Sequence, residues 1–397
     1  MNIKRTAIVT LVLFVACLAV ARYLGLWPWY SVIPAGISIP VHPDTTTRPN
    51  NEAQVAYKVE PFVGGLHVPW SMVFTSPTRI LVTERPGRVR VVLDGRLESQ
   101  PLHTFEATAA VGENGLMGMA LHPNYHENKL VYFCLGHKAG SGMQVNVVSL
   151  TDKGSSLADE TMIIAGIPAA QYHAGCRVKF GPDGKLYITT GDATNKNLAQ
   201  DVNSLAGKIL RLNNDGSIPA DNPFPGKPIW TLGHRNSQGL DWQPATGELF
   251  ATEHGPSVFD GPAGGDEVNW IQKGKNYGWP FVSHEKTDMR FISPLLVFTP
   301  AVAPVEVLFY RGKVFPQFKN QLLFAALKGE GIFLVKLSKD TPYTALSYEK
   351  LASINVGRVR ELAEGPDGYI YFTTSNTDGR GKVRTGDDHL YRLIPTP

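Results

Sequence analysis

One phrase recurs six times along this chain, and it limits the fold more than any other feature. It is a polar turn containing proline, followed by a short strand of alternating aromatic or aliphatic residues. It reads "TSPTRILVTE" (75–84), "HPNYHENKLVYF" (122–133), "GPDGKLYITT" (181–190), "QPATGELFAT" (243–252), "FPQFKNQLLFAAL" (315–327) and "GPDGYIYFTT" (365–374). The prolines stand at 77, 123, 182, 244, 316 and 366, so the successive gaps are 46, 59, 62, 72 and 50. Turn residues followed by period-two alternation are a hairpin signal. Each interval has room for about four strands, and helical periodicity is nearly absent. The 39 glycines and 29 prolines supply the turns that such a chain needs. The reading is all-β: a six-bladed β-propeller with four-stranded antiparallel blades. A β-sandwich or two stacked β domains is the competing arrangement. The last strand, "HLYRLIP" (389–395), is expected to close the ring against sequence near 56–63.

The N-terminus is built differently. Lys4 and Arg5 precede "TAIVTLVLFVACLAVA" (6–21), sixteen residues without a charge. That is short for a spanning helix and suits the apolar region of a secretory leader, with Ala19-Val20-Ala21 as a small-x-small cleavage site. An uncleaved anchor is the alternative, because apolar sequence continues to Pro28. The expected organisation is therefore a signal peptide or membrane anchor over 1–22, a polar linker over 23–55 and a catalytic propeller over 56–397. The expected location is the periplasm or another extracytoplasmic space, with inner-membrane anchoring if the segment is retained. Beyond this segment only Cys134 and Cys176 remain. Inner strands of adjacent blades lie close, so the two can pair in an oxidising compartment. Two buried small hydrophobes are the other reading.

In a propeller, loops from every blade converge on one end of the central channel, so residues far apart in sequence share a pocket. Five polar clusters are candidates. "QYHAGCRVKF" (171–180) carries His173, and the following hairpin ends in Asp192, a plausible base with its orienting carboxylate. "LGHRNSQGL" (232–240) offers Arg235, Asn236 and Gln238, one cation and two groups that both donate and accept. "EHGPSVFDGPAGGDEVNW" (253–270) sets Gly255 and Pro256 carbonyls near Asp266 and Glu267, oxygen ligands of the kind Ca²⁺ takes. Lys328 stands at a strand end in "AALKGEG", and Arg358 and Arg360, two apart, share one face of a strand. Each of these also has an ordinary reading as a solvated loop, a turn or a surface charge. Together they describe a positive channel mouth in a chain whose net charge is only +3. Such a mouth suits a polyanionic, planar ligand. The small net charge and the lack of a basic cluster point away from nucleic acid.

Longer stretches carry a resemblance. "GLHVPWSMVF", "LVTERPGRVRVV", "GENGLMGMALHPNY", "HAGCRVKFGPDGKLYITTGD", "LAGKILRLNNDGSIPADNPF", "GHRNSQGLDWQPATGELFATEHGP", "GGDEVNWIQKGKNYGWP" and "GRVRELAEGPDGYIYFTTSNTDGRG" are similar, in order, to the glucose/sorbosone dehydrogenase family. These are soluble aldose sugar dehydrogenases dependent on pyrroloquinoline quinone (PQQ). The resemblance runs from about residue 60 to the C-terminus and implies a six-bladed propeller with PQQ, a planar tricarboxylate, as its anion. It implies that His173 takes the sugar C1 hydroxyl proton, that Asp192 holds the histidine tautomer, and that Arg235 stands beside the reacting carbonyl. Glu113, Asn236, Gln238, Lys328, Arg358 and Arg360 match positions that contact PQQ. Gly255 and Pro256 match carbonyls that hold the cofactor's Ca²⁺, and Glu267 and Tyr277 resemble ligands of a second, structural Ca²⁺. The implied reaction takes an aldose to its lactone and passes the electrons to a separate acceptor, a quinone or cytochrome.

Two departures stand out. Cys176 replaces a small residue in "HAGCR", and the loop "EHGPSVFDGPAGGDE" is longer than the shortest in the family. Two other functions are compatible with a propeller: a Ca²⁺-dependent lactonase or hydrolase, and a non-catalytic carbohydrate-binding protein. The first requires a ring of metal-binding carboxylates at the mouth. The second requires neither a His–Asp pair nor a cationic cradle.

Overall fold

The computed structural model describes residues 55–140 and 142–396. The leader or anchor expected over 1–22 and nearly all of the linker lie outside them. Among the described residues no helix is long and apolar enough to cross a membrane.

The described chain forms six antiparallel sheets arranged as propeller blades. Their first strands, Pro69–Ser76, Leu116–Leu121, Val178–Phe180, Ser237–Trp242, Pro304–Phe309 and Val359–Glu364, pack against one another around the ring and are therefore innermost. Each recurring phrase joins the innermost strand of its blade to the next. In blade one the outermost position is divided between Arg96–Leu97 and His103–Thr104, both paired with Arg88–Leu93. The ring closes as expected. Tyr57–Val63 is the outermost strand of blade six and pairs antiparallel with Leu390–Pro395.

The repeats are alike down to side-chain contacts. In blades three and six the Gly-Pro-Asp-Gly turn places Gly184 and Gly368 at φ 71° and 79°, the left-handed region that favours glycine. Asp183 Oδ1 and Asp367 Oδ1 accept the backbone N–H two residues on, at 3.1 and 3.0 Å. Their second oxygens take Tyr187 and Tyr371 hydroxyls at 3.0 and 2.8 Å, pinning turn to strand. Between blades the alternating side chains interlock, as where Phe250, Phe298, Phe309, Phe324 and Phe333 share one cluster. At Gly239 an added Cβ would lie 2.2 Å from the Val305 carbonyl, so only glycine lets inner strands four and five approach.

Cys134, on the second strand of blade two, and Cys176, just ahead of the inner strand of blade three, form a disulfide. Both are fully buried. The bond joins adjacent blades three residues after His173. Below them the channel is plugged by charge. Arg177, 1% exposed, pairs with Glu306 and Glu361 at 2.5 and 2.7 Å and stacks on Trp70 at 4.3 Å. Arg177 belonged to the first polar cluster in the sequence, but it serves the channel interior. Arg177 is also held by Ser71 and the Gln238 carbonyl, and Lys179 shares Glu306, so two cations face the two carboxylates.

Candidate active site

Loops from several blades enclose a cavity of about 620 Å³. It is lined by His173, Glu113, Arg235, Asn236, Gln238, Gly255, Pro256, Lys328, Arg358 and Arg360, all singled out in the sequence. His173 is 3% exposed and stands at φ 56°. Its Nδ1 lies 2.7 Å from Asp192 Oδ1. Asp192 does not line the cavity; it is buried behind the histidine, and its Oδ2 accepts the Trp279 indole N–H at 2.8 Å. A carboxylate on Nδ1 fixes that nitrogen as the donor and leaves Nε2 with its lone pair, the state a general base needs.

The stretch Gly233–Gly239 runs into the inner strand of blade four, and its donors divide between two tasks. His234 turns away from the cavity, with Nδ1 2.8 Å from Glu253 Oε2 and Nε2 2.9 Å from the Thr231 hydroxyl. Asn236 and Gln238 face the cavity and are already organised. Asn236 Oδ1 accepts Gly175 N–H and Gln238 Nε2, each at 3.2 Å, while Gln238 Oε1 accepts Arg360 at 3.1 Å. Glu113 accepts the His173 backbone N–H at 3.1 Å and Asn236 Nδ2 at 3.3 Å, and pairs with Arg380 at 3.0 Å. Burial alone would raise the Glu113 carboxyl. Facing His254, Arg380 and His173 outweigh that and hold it at about 2.

The cations differ in how far they are already matched. Arg358 and Arg360 do share a face, yet Asp378 takes Arg358 alone, at 2.7 and 2.9 Å. Arg235 is held by Asp260 at 2.7 Å, so the expected fixed cation has its own counter-ion. Arg360 donates to Gln238 and lies 5.3 Å from the Trp70 ring, and its Nε is buried without a hydrogen-bond partner among the described residues. Burial pushes its guanidinium down to about 9. Arg85, also lining the cavity, likewise has a buried Nε without a partner. Lys328 is exposed at the mouth.

The expected cation ligands fall in two places. Gly255 and Pro256 line both this cavity and a small neighbouring one that also holds Glu267 and Tyr277. Asp266, read from sequence as a ligand, instead accepts three backbone N–H groups, from Gly255, Val302 and Ala303, at 2.7–2.8 Å. The Tyr277 hydroxyl is also committed, donating to Trp270 O at 2.6 Å and accepting Gln272 N–H at 2.8 Å. Glu267 is opposite Glu253 in the ladder. Burial and then the Glu253 charge push the Glu267 carboxyl up to about 8. Among the described residues no group of three or more His, Cys, Asp or Glu has metal-binding geometry.

Several lining residues were not anticipated: Trp70, Arg85, Tyr172, His254, Asp378 and Arg380. Most lie inside stretches already quoted, but a lone Arg or Trp at a strand end has no local signature. His254 is half-buried, and desolvation lowers its imidazole to about 4.

The sequence matches the model of the Glucose / Sorbosone dehydrogenase family over residues 66–391. A solved structure of a putative oxidoreductase (glucose dehydrogenase) from Thermus thermophilus is 41% identical, with TM-score 0.79, covering 85% of this chain and all of that one. The PQQ-bound form of aldose sugar dehydrogenase from Streptomyces coelicolor is 31% identical, with TM-score 0.75, covering 86% of this chain and 99% of that one. Aldose sugar dehydrogenase YliI of Escherichia coli K12 is 30% identical over 351 residues, 82% of this chain and 92% of the relative.

Proposed function

The chain belongs to the glucose/sorbosone dehydrogenase family, and from that premise we propose that it oxidises aldose sugars at C1 to the lactone, with PQQ as cofactor. The observation that carries the reading is the pairing of a Nδ1-anchored histidine with an incompletely matched cationic wall in one cavity. A planar tricarboxylate fits that wall. It would give Arg360 and Arg85 the acceptors their buried Nε groups lack and would meet Lys328 at the mouth. Asn236 and Gln238 present amides on the same face.

Bound there, PQQ supplies a two-electron acceptor for the hydrogen leaving sugar C1 with its electron pair. The chain supplies the rest. His173 Nε2 takes the C1 hydroxyl proton, and the developing imidazolium is stabilised by Asp192, itself fixed by Trp279. Arg235, locked by Asp260, would hold its guanidinium N–H groups in a fixed place beside the reaction, as one half of an ion pair. Atoms balance: the sugar loses one hydride and one proton and becomes the lactone. The two electrons would pass from the site to a separate acceptor, a quinone or cytochrome.

Calcium belongs to the same proposal. Carbonyls of Gly255 and Pro256 would hold one ion beside the cofactor. The Glu253–Glu267 pair, one buried and one half-buried, fits a second, since a cation there would relieve two carboxylates forced together by strand register. Tyr277 would contribute only through its backbone, its hydroxyl being spent. Ca²⁺ would polarise the cofactor and stiffen the loop. An extracytoplasmic site of action, by leader or anchor, completes the proposal.

Reconstituting the purified protein with PQQ and Ca²⁺ and following dye reduction with several aldoses tests it. Turnover dependent on PQQ and aldose is expected. Turnover of lactones or phosphate esters without PQQ, or sugar binding without oxidation, would replace this reading with the hydrolase or the binding protein.

A further inference from the structure

We infer that Phe259 is the platform on which the sugar ring is laid, and that residues 257–263 set which sugars the site accepts. This rests on the proposed role of His173 as base.

The loop between the second and third strands of blade four is the long one noted in the sequence, and it is tied down rather than free. Asp260 Oδ2 pairs with Arg235 Nε at 2.7 Å, and its Oδ1 accepts the Ser257 N–H at 2.7 Å. Gly261 N–H returns to Ser257 O at 2.9 Å and Gly264 N–H to Pro256 O at 3.2 Å. The Ser257 hydroxyl accepts a further Arg235 N–H at 3.3 Å. These bonds fix Phe259 with its ring against the His173 imidazole, centroids 5.6 Å apart and planes at 24°. The ring is nevertheless 63% exposed.

Phe259 and Val258 expose adjacent apolar surface on a loop tied down beside the base, and it is this placement, not exposure alone, that points to a ligand. Phe259 stands outside the cavity wall itself, which this loop enters through Ser257, Val258 and Ala263. The aromatic residues in that wall each have a face in use: Trp70 lies under Arg177 and Arg360, and Tyr172 under Arg380. One Phe259 face is spent on the His173 imidazole, so the face it offers is the outer one, at the rim beside the base. A pyranose has an apolar C–H face and a polar hydroxyl edge. Covering the ring with that face removes both from water, while the edge stays toward His173 and the polar wall. The groups that suit an anion, the Arg360 guanidinium and the Gln238 amide, lie on inner strands, so platform and anion grip are separate. The adjacent Val258, 89% exposed and part of the cavity wall, continues the apolar strip along the mouth, where a second sugar residue of an oligosaccharide would lie.

The test uses the full protein loaded with PQQ and Ca²⁺. KM and kcat are measured for a monosaccharide and a disaccharide aldose, and calorimetry gives the Kd of a 1,5-anhydro sugar, which lacks the reactive C1 hydroxyl. Phe259→Ala should raise KM and the analogue's Kd by about tenfold, more for the disaccharide, with kcat falling less than KM rises. Phe259→Tyr should restore both. The PQQ Kd from spectral titration should stay within about twofold. The inference is overturned if Phe259→Ala binds both sugars as the wild type does, or binds them better, the ring then being an obstruction. It is also overturned if only electron delivery to a protein acceptor slows, the ring then being a partner contact. If the wild type oxidises no aldose, the proposed function fails and this inference with it. If the wild type is active and the variant equals it, Phe259 alone fails.

Discussion

Replacing Arg360 by Met should have opposite effects on the empty and the loaded protein. The residue is 6% exposed and, among the described residues, hydrogen-bonds only to a neutral amide and leaves Nε unpartnered. Burial takes its guanidinium from the ordinary value to about 9. At about 1.4 kcal/mol per pH unit this caps the cost of the buried charge at ~5 kcal/mol. The sign follows from linkage: a depressed folded-state pKa contributes stability only above the ordinary guanidinium value, lost as pH falls through about 9. At pH 7 the charge therefore weighs against the empty fold. Methionine keeps most of the volume and removes the charge, so the melting temperature without cofactor should rise by a few degrees. The same change removes a charge-assisted contact to the anion, worth roughly 1.5–3 kcal/mol, and PQQ affinity should fall about 10- to 150-fold. Arg358, two residues earlier, supplies the contrast. Arg358→Met would strand Asp378, whose side chain is 4% exposed, and should destabilise the empty protein by roughly 3–5 kcal/mol. Thermal denaturation without PQQ and spectral titration with it measure both effects. If Arg360→Met lowers the melting temperature as Arg358→Met does, or leaves PQQ affinity unchanged, the account of an unmatched buried cation is wrong.

Three further outcomes are expected. His173→Gln should lower kcat by about 10²–10⁴ while PQQ affinity stays within about tenfold; more than half of wild-type kcat at saturating PQQ would exclude the histidine as base. Trp279→Phe removes the indole donor from Asp192 Oδ2, so kcat should fall about tenfold and its pH profile move, whereas a merely structural tryptophan would shift stability and leave the profile in place. Cys134 and Cys176 should give no free thiol in the denatured, unreduced protein. Changing both to Ala should cost roughly 3–4 kcal/mol, as a loop spanning 42 residues allows; two free thiols would refute the bond.

How much of this was legible beforehand depends on whether a feature is local. Period-two alternation and Pro-Asp-Gly turns are properties of ten residues at a time, so six repeats announced six blades, and the terminal strands announced the closure. The shared face of Arg358 and Arg360 was legible for the same reason. Charge matching was not. Glu113 and Arg380 meet from 267 positions apart, while Arg235 finds Asp260 and Arg358 finds Asp378 through loops whose course no periodicity encodes. Asp266 has the composition of a metal ligand, and only the folded loop shows that three backbone N–H groups already occupy it. The Glu253–Glu267 pair needed the strand register, since a slip of one residue would put them on opposite faces. The sequence by itself determined the propeller and the residues at its mouth. Which of those charges stay unmatched, and so what the mouth can bind, was decided by tertiary structure, because electrostatic compensation depends on distances of a few ångströms between segments that only the closed ring brings together.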